Sequence, residues 1–401
     1  MKKEGLMKKE KSYTLASSLI SILIGLVFGA IVVLVVGLLT PTITTSESID
    51  GMKLVLFGLF CTGRDAAGAI SFGFNGVNIG NMLFRAMPLI MTGLSVAIAN
   101  QTGLFNIGAP GQYLAGTCAS LYVALSVPSE NLSPVVVWIL AFVAAMMAGA
   151  IWGAIPGLLK AYLNMNEVIA CIMCNWIAAN LVTWIFDASN LKNIEEGTKS
   201  AYIYKTTRNG VATAKMGLDK LFAGSQVNGG IVIAILFCIA LWVVMSKTTF
   251  GYQLKACGAN KHAAKYAGIK GKRNVVISMA IAGAISAAGG ALYYLSGNTE
   301  FFWSTYQSLP GEGFTGIAVA LLAVNNPIGV IFAGSFMSML TICGTQLTYF
   351  TPFNEYITDV IIAIIVYLAA FSLVIKLWLA KRNAKKQNKK GAASGSGKEG
   401  Q

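Results

Sequence analysis

Charge is what this chain has least of. Only 11% of its 401 residues are charged, while 55% are hydrophobic. A soluble domain carries about 25% charged residues, so the composition excludes an ordinary water-soluble protein and points to a polytopic membrane protein. Histidine occurs once, at His262, which argues against a zinc site built on histidines. No G-x-x-x-x-G-K-[ST] run is present, so the chain has no phosphate-cradling loop and no ATP motor of its own. "GIKGKRN" at 268–274 is only a basic turn. The net charge of +14 does not point to nucleic acid, because no base-stacking or groove-reading module accompanies it. The seven cysteines are scattered, most of them in apolar runs. Cys171 and Cys174 form a CxxC with no second CxxC, and read as small packing residues.

Long apolar runs dominate what is present. A bilayer core takes roughly 20 residues of helix, and about ten spans satisfy this: 15–39, 81–100, 103–126, 134–159, 167–186, 229–246, 274–297, a short 312–324, 327–349 and 355–380. The run 15–39 is too long for a signal-peptide core and lacks a small-residue cleavage site, so it reads as a retained first span. Residues 40–79 read as a long loop with one short apolar piece at 54–61. The expected fold class is all-α: a polytopic membrane protein of about ten helices, some of them broken, in two inverted halves of five.

Basic residues set the orientation. They gather in the first eleven residues, in loop 247–273, and after Lys381. These regions are expected on the cytoplasmic side: an N-terminus at 1–14, a transmembrane permease domain at 15–380, and a basic, disordered tail at 381–401. Segment 187–228 carries both signs of charge and is expected outside.

Two stretches sit badly in oil. "GLFNIGAPGQ" (103–112) and "GEGFTGIAVAL" (311–321) are glycine-broken and occupy the third place in each set of five spans. Paired interruptions of this kind mark a transport site in many carriers. Asn106 and Gln112 either satisfy freed backbone groups in a kinked, packed helix or line a wet path. Glu167, at the start of its span, serves either function or the positive end of its helix. Glu167, Cys171, Cys174 and Ala178 share one helical face; Asn175, Trp176 and Asn180 are placed off it and need other partners. Trp176 suits either helix packing or stacking on a flat ligand. Arg85 reads as a snorkelling cation. In loop 247–273, Gly258 and Gly268 bracket one short helix, which either inserts into a groove of another protein or rests on anionic lipid.

That loop carries a resemblance. "TTFGYQLKACGANKHAAKYAGI" (248–269) resembles the cytoplasmic coupling loop of ABC importer permeases, in the branch holding branched-chain amino acid, ribose and nucleoside permeases. "MPLIMTGLSVAIANQTGLFNIGAPGQYLAG" (87–116), "NEVIACIMCNWIA" (166–178) and "GFTGIAVALLAVNNPIGVIFAG" (313–334) are similar to the nucleoside type. The resemblance covers roughly 80–345, with one departure: Pro110 stands where that group commonly has an acid.

The resemblance implies a permease that moves nucleosides, purine nucleosides foremost, by alternating access. It implies ATPase subunits, or one fused double ATPase, binding ATP and magnesium in trans, and no cofactor in this chain. A second permease in a heterodimer and an extracellular lipoprotein that delivers the nucleoside complete the assembly in the cell membrane. Coupling to the ATPase falls to Ala259, Asn260, Lys261, His262, Ala263, Ala264, Lys265, Tyr266, Ala267 and Gly268. A nucleoside path needs hydrogen-bonding groups and aromatic faces. Asn100, Phe105, Asn106, Gln112, Asn175, Trp176 and Phe314 supply them, with Glu312 at the outer mouth. The alternatives are a simple sugar or a branched-chain amino acid as cargo, or an ion-coupled secondary transporter. The last needs titratable groups deep in the membrane, and the spans nearly lack them away from their ends.

Overall fold

The computed structural model describes residue 20 and residues 23–127, 132–193, 195–200, 211–304, 307–354 and 356–370. The expected N-terminus 1–14, the tail 381–401 and parts of the first and tenth spans lie outside the described residues. The chain divides into two compact units, one of residues 1–73 with 343–401 and one of residues 74–342.

In the first unit, α1 (Leu23–Leu39) is a short apolar helix. The region 40–79 departs from the expected loop: it holds α2 (Thr45–Phe57), a single 3-10 turn (Gly58–Phe60) and a two-stranded antiparallel hairpin of β1 (Cys61–Arg64) and β2 (Ile70–Phe72). The described fold is thus mostly helical rather than wholly so. Local polar chemistry explains the difference. Thr44 and Glu47 form a capping box: the Glu47 carboxylate accepts from the Thr44 amide at 2.8 Å, and Thr44 Oγ1 accepts from the Glu47 amide at 3.3 Å. The Thr44 backbone and hydroxyl hold the Glu47 carboxyl below its ordinary range. The Asp65 carboxylate closes the hairpin by accepting from the amides of Ala67 and Ala69. The part of α13 (Pro327–Phe350) beyond Ile342 and α14 (Tyr356–Ala370) complete this unit.

The second unit holds α3 (Gly76–Gln101), α4 (Ala109–Ser126), α5 (Pro134–Leu163), α6 (Glu167–Ala188), the single turn α7 (Leu218–Leu221), α8 (Gly230–Lys247), α9 (Thr249–Ala259), α10 (Lys261–Tyr266), α11 (Gly271–Tyr294), α12 (Gly311–Leu322) and the start of α13. Six described helices, α3, α5, α6, α8, α11 and α13, are long and apolar enough to cross a membrane. Along α5, every fourth residue from Val137 through Ala141, Ala145, Gly149 and Gly153 to Gly157 is buried. Val135, Ile139, Val143, Met147 and Ile151 on its other side are exposed. A stripe of large apolar side chains with no protein cover suits hydrocarbon.

Small residues let α5 and α11 cross closely. A Cβ on Gly153 would come within 3.0 Å of the Gly283 Cα, the small-residue contact typical of membrane helices. The α5–α6 turn has its own clasp. Asn164 caps α5 in the left-handed region (φ 53°), Asn166 caps α6, and Lys160 Nζ meets Glu167 at 2.7 Å.

Two helix readings need correction. The third helix starts at Ala109, not at 103, and residues 103–108 are not helical. Loop 247–273 holds two helices, not one. Gly258 lies inside the first of them, and α10 runs only six residues. Asn260 divides the two: its Oδ1 accepts from the amides of His262 and Ala263, both at 3.0 Å, so a new helix starts there. Gly268, with φ +76°, ends the element.

Candidate functional site

Gly103, at φ +74°, turns the chain out of α3. Residues 103–108 cross without helix, and α4 then begins with Pro110 in its first turn, where a missing N–H breaks no hydrogen bond. The polar side chains here satisfy one another. Asn106 and Gln112 exchange two amide hydrogen bonds, of 2.8 and 3.0 Å. The Asn106 amide also donates to Ser95 Oγ at 3.1 Å, and its carbonyl accepts from the Gly108 amide at 3.1 Å. From α6, Asn175 accepts from the Gly111 amide and donates to the Ile107 carbonyl, both at 2.9 Å. Asn106, Gln112 and Asn175 are buried. Asn175 therefore belongs to the same face as Cys171, Cys174 and Ala178, which corrects the expected split. Spacings of three and four residues place all four on one stripe.

The second stretch, expected to be glycine-broken, is instead continuous helix through α12, and it touches the first. A Cβ on Gly313 of α12 would lie 2.6 Å from the Pro110 Cα, and one on Gly316 would lie 2.6 Å from the Thr92 Cβ. Thr92 Oγ1 is 2.9 Å from both the Pro88 and the Glu312 carbonyls, so its proton can serve either α3 or α12. Ser286 of α11 donates to the Ala109 carbonyl at 2.8 Å. Four helices thus converge on the break.

The C-terminal end of α3 is a second junction. Asn100 donates to Asn325 Oδ1 at 2.9 Å, and the Gln101 amide donates to the Asn325 carbonyl. These bonds hold a strained turn between α12 and α13, where Val324 and Asn325 have φ of 51° and 55°. The left-handed region is uncommon for asparagine and an outlier for a β-branched valine. Thr102 Oγ1 meets Ser278 Oγ of α11 at 2.8 Å. Against the same end rests α9: a Cβ on Gly258 would lie 2.7 Å from the Thr102 carbonyl carbon and 2.8 Å from the Gly103 nitrogen.

The remaining sequence-selected residues are placed as follows. Phe105 is half-buried in the loop, and Glu312 is half-buried in the first turn of α12. Trp176 and Phe314 are exposed. Arg85 is exposed. Ala259, Asn260, Lys261, His262, Ala263, Lys265, Tyr266, Ala267 and Gly268 are exposed, and Ala264 alone in that run is buried. Tyr266 reaches 95% exposure, an unusual state for an aromatic ring. Sequence reasoning missed Ser95, Thr92, Ser286 and Asn325. Single hydroxyls in an apolar run carry no pattern of their own, whereas "NN" before Pro327 did mark a turn. Among the described residues no group of three or more His, Cys, Asp or Glu side chains could hold a metal ion.

Comparison with known proteins supplies the family. Residues 78–370 match the model described as branched-chain amino acid transport system / permease component. The chain is 33% identical over 384 residues to the guanosine ABC transporter permease protein NupP of Bacillus subtilis, covering 95% of this chain and 100% of that one. It is 37% identical over 310 residues to the nucleoside ABC transporter permease protein NupB of Lactococcus lactis, covering 77% of this chain and 83% of that one. The glucose ABC transporter permease protein TsgB13 of Haloferax volcanii is 30% identical, covering 82% and 85% of the two chains. The match across the membrane helices, the break at 103–108 and α12 places this chain in the branched-chain amino acid transport system permease family, as a multi-pass ABC transporter permease.

Proposed function

We propose that the chain is a membrane-spanning subunit of an ATP-driven importer whose cargo is a nucleoside, purine nucleosides foremost. The observation that carries the reading is the end-to-end likeness to a guanosine permease. ATPase subunits, or a fused double ATPase, bind ATP and magnesium in trans and dock on 259–268. A second permease pairs with this one as a heterodimer, and an extracellular lipoprotein hands over the nucleoside. About ten spans in two inverted sets of five cross the cell membrane; both termini and the basic loop 247–273 face the cytosol, and 187–228 faces out.

The geometry supports a mechanical route. Movement of α10 reaches α9 through Asn260, and α9 bears on the end of α3 through Gly258. From there one path enters the loop 103–108 and its Asn106 cluster. The other passes through Asn100 and Asn325 to the strained turn behind α12. Rocking these two stretches, which meet at Gly313 and Pro110, opens and closes a path past Asn106, Gln112, Asn175 and Glu312. In this conformation the three amides are satisfied by protein, so exposing them to cargo requires the break to move. Phe105, Trp176 and Phe314 offer aromatic faces along the way.

The likeness to a glucose permease favours a sugar as the second reading, and the family's description keeps a branched-chain amino acid in view. Uptake of radiolabelled guanosine, glucose and leucine by cells with and without this chain tests the cargo. Loss of guanosine uptake alone is expected; loss of glucose or leucine uptake with guanosine unaffected would overturn the nucleoside reading.

A further inference from the structure

The exposed apolar stripe of α5 does not stop at Ile151. It runs on through Leu158 to Tyr162, both exposed. A helix of 30 residues is about 45 Å long, against a hydrocarbon core of about 30 Å. The one charged residue of α5, Lys160, lies in its last turn, so that end of the helix reaches the headgroups. Beside it α11 runs in the opposite sense. Gly153 of α5 meets Gly283, and a Cβ on Gly157 would lie 3.2 Å from the Val276 Cα. The start of α11 therefore stands beside the end of α5. There Lys272 Nζ sits 5.2 Å from the centre of the Tyr162 ring, a cation–π contact. Lys270 and Arg273 flank Lys272, and all three cations are exposed. Segment 247–273 holds seven lysines and arginines and no acid, and none of the seven has an ion pair among the described residues. Glu167, between α5 and α6, is already taken up by Lys160 at 2.7 Å.

We infer that this corner holds an anionic phospholipid of the cytoplasmic leaflet, its acyl chains along the α5 stripe and its phosphate against Lys272 and Arg273. The cations call for an anion, and the stripe that ends beside them calls for hydrocarbon. An amphiphile with a negative headgroup supplies both at once. An acidic peptide or a nucleic acid would leave the stripe uncovered. A helix of a second permease would cover the stripe but bury the cations, unless it brought carboxylates to the same spot. Tyr162 stands between the two parts, at the headgroup level where tyrosine is enriched in membrane proteins. Lys270 lies two residues beyond Gly268, so a lipid held here steadies the junction between the exposed finger and α11. Naming the cytoplasmic leaflet rests on the orientation proposed above, which labelling in sealed vesicles reads separately. The lipid site itself depends on neither the orientation nor the cargo.

The test is lipid retention by the whole transporter, the permease with its partner subunits. The complex is titrated in detergent with dioleoyl phosphatidylglycerol or dioleoyl phosphatidylcholine, and bound lipid is read by native mass spectrometry. The wild type is expected to prefer phosphatidylglycerol by about fivefold or more. Retention of that lipid should fall about fivefold in Lys272→Gln and further in Lys272→Gln/Arg273→Gln, with phosphatidylcholine unaffected. Melting curves in phosphatidylcholine should be unchanged, because both side chains are exposed. Lys220→Gln removes an exposed cation from the segment between α6 and α8 and should leave retention as it is. Excess glycerol phosphate, which has the charge without the acyl chains, should not displace the lipid. Equal retention of the two lipids, no fall in the double variant, or an equal fall in Lys220→Gln overturns the site. Displacement by glycerol phosphate would assign the cations to a soluble phosphate and overturn it too. So would exclusion of all lipid from this corner by the second permease.

Discussion

Gly258 rests on the backbone of Gly103, so closely that a Cβ on Gly103 would lie 2.9 Å from the Gly258 Cα. One glycine lies in the last turn of the helix before the exposed basic finger; the other opens the break that carries Asn106. With no side chain between them, a displacement of α9 is transmitted backbone to backbone. Close packing of this kind is stiff and shifts between discrete arrangements rather than yielding gradually.

Gly258→Ala is therefore expected to damage coupling more than folding. The added methyl overlaps Thr102 and Gly103 backbone, an overpacking of about 1–3 kcal/mol. If that strain falls on the transport step, uptake drops about tenfold to a hundredfold. Uptake and ATP hydrolysis measured together check this, with hydrolysis expected to persist while uptake falls.

Asn106 and Gln112 are expected to behave as one unit. Asn106→Leu leaves the Gln112 amide buried without its partner, a loss of about 1–3 kcal/mol. Adding Gln112→Leu removes the stranded group, so the double variant should be less destabilised than the sum of the singles by about 0.5–3 kcal/mol. Melting curves of the four proteins in detergent give the coupling, and strict additivity would contradict the reciprocal pair.

Val324→Gly should not destabilise the protein. A β-branched residue in the left-handed region costs about 1–2 kcal/mol, and glycine's extra freedom in the unfolded chain offsets about 0.4–1 kcal/mol of the relief. The expected result is a melting temperature equal to or slightly above the wild type. A clear fall would mean that the Val324 side chain packs favourably enough to outweigh the strain.

Tyr266→Cys reports orientation. All seven native cysteines are free and buried, whereas position 266 is almost wholly exposed. A membrane-impermeant maleimide should label the variant in inside-out vesicles and not in right-side-out ones. The reverse pattern would place the basic finger outside the cell.

The membrane class and the break at 103–108 were legible in the sequence for a physical reason. Lipid demands uninterrupted apolar helix, so Gly103 and Pro110 stand out against it, whereas Gly313 lies inside the continuous α12, where it serves close packing on Pro110 rather than a break. The hairpin at 61–72 and helix α2 were not legible. They depend on single polar clasps, Thr44 with Glu47 and the Asp65 carboxylate, which a hydropathy reading scores simply as loop. Asn175 stands four residues from Cys171 and three from Ala178, so helical spacing itself puts it on the packing face; what the sequence does not show is its bond to the Gly111 amide across the interface. The division of the coupling region at Asn260 is readable from its cap, whereas the role of Gly258 is not, because a glycine's contact with another backbone leaves no trace in its own helix.

The central claim is that the power stroke arrives from outside the chain through residues 259–267. Reconstituting the permease with its ATPase partners, with and without those residues, tests it most directly by radiolabelled guanosine uptake on adding ATP. The account predicts ATP-dependent uptake by the intact protein and none by the deletion, which still inserts into the membrane. Undiminished ATP-driven uptake by the deletion, or uptake by this chain alone on a proton or sodium gradient, would contradict it.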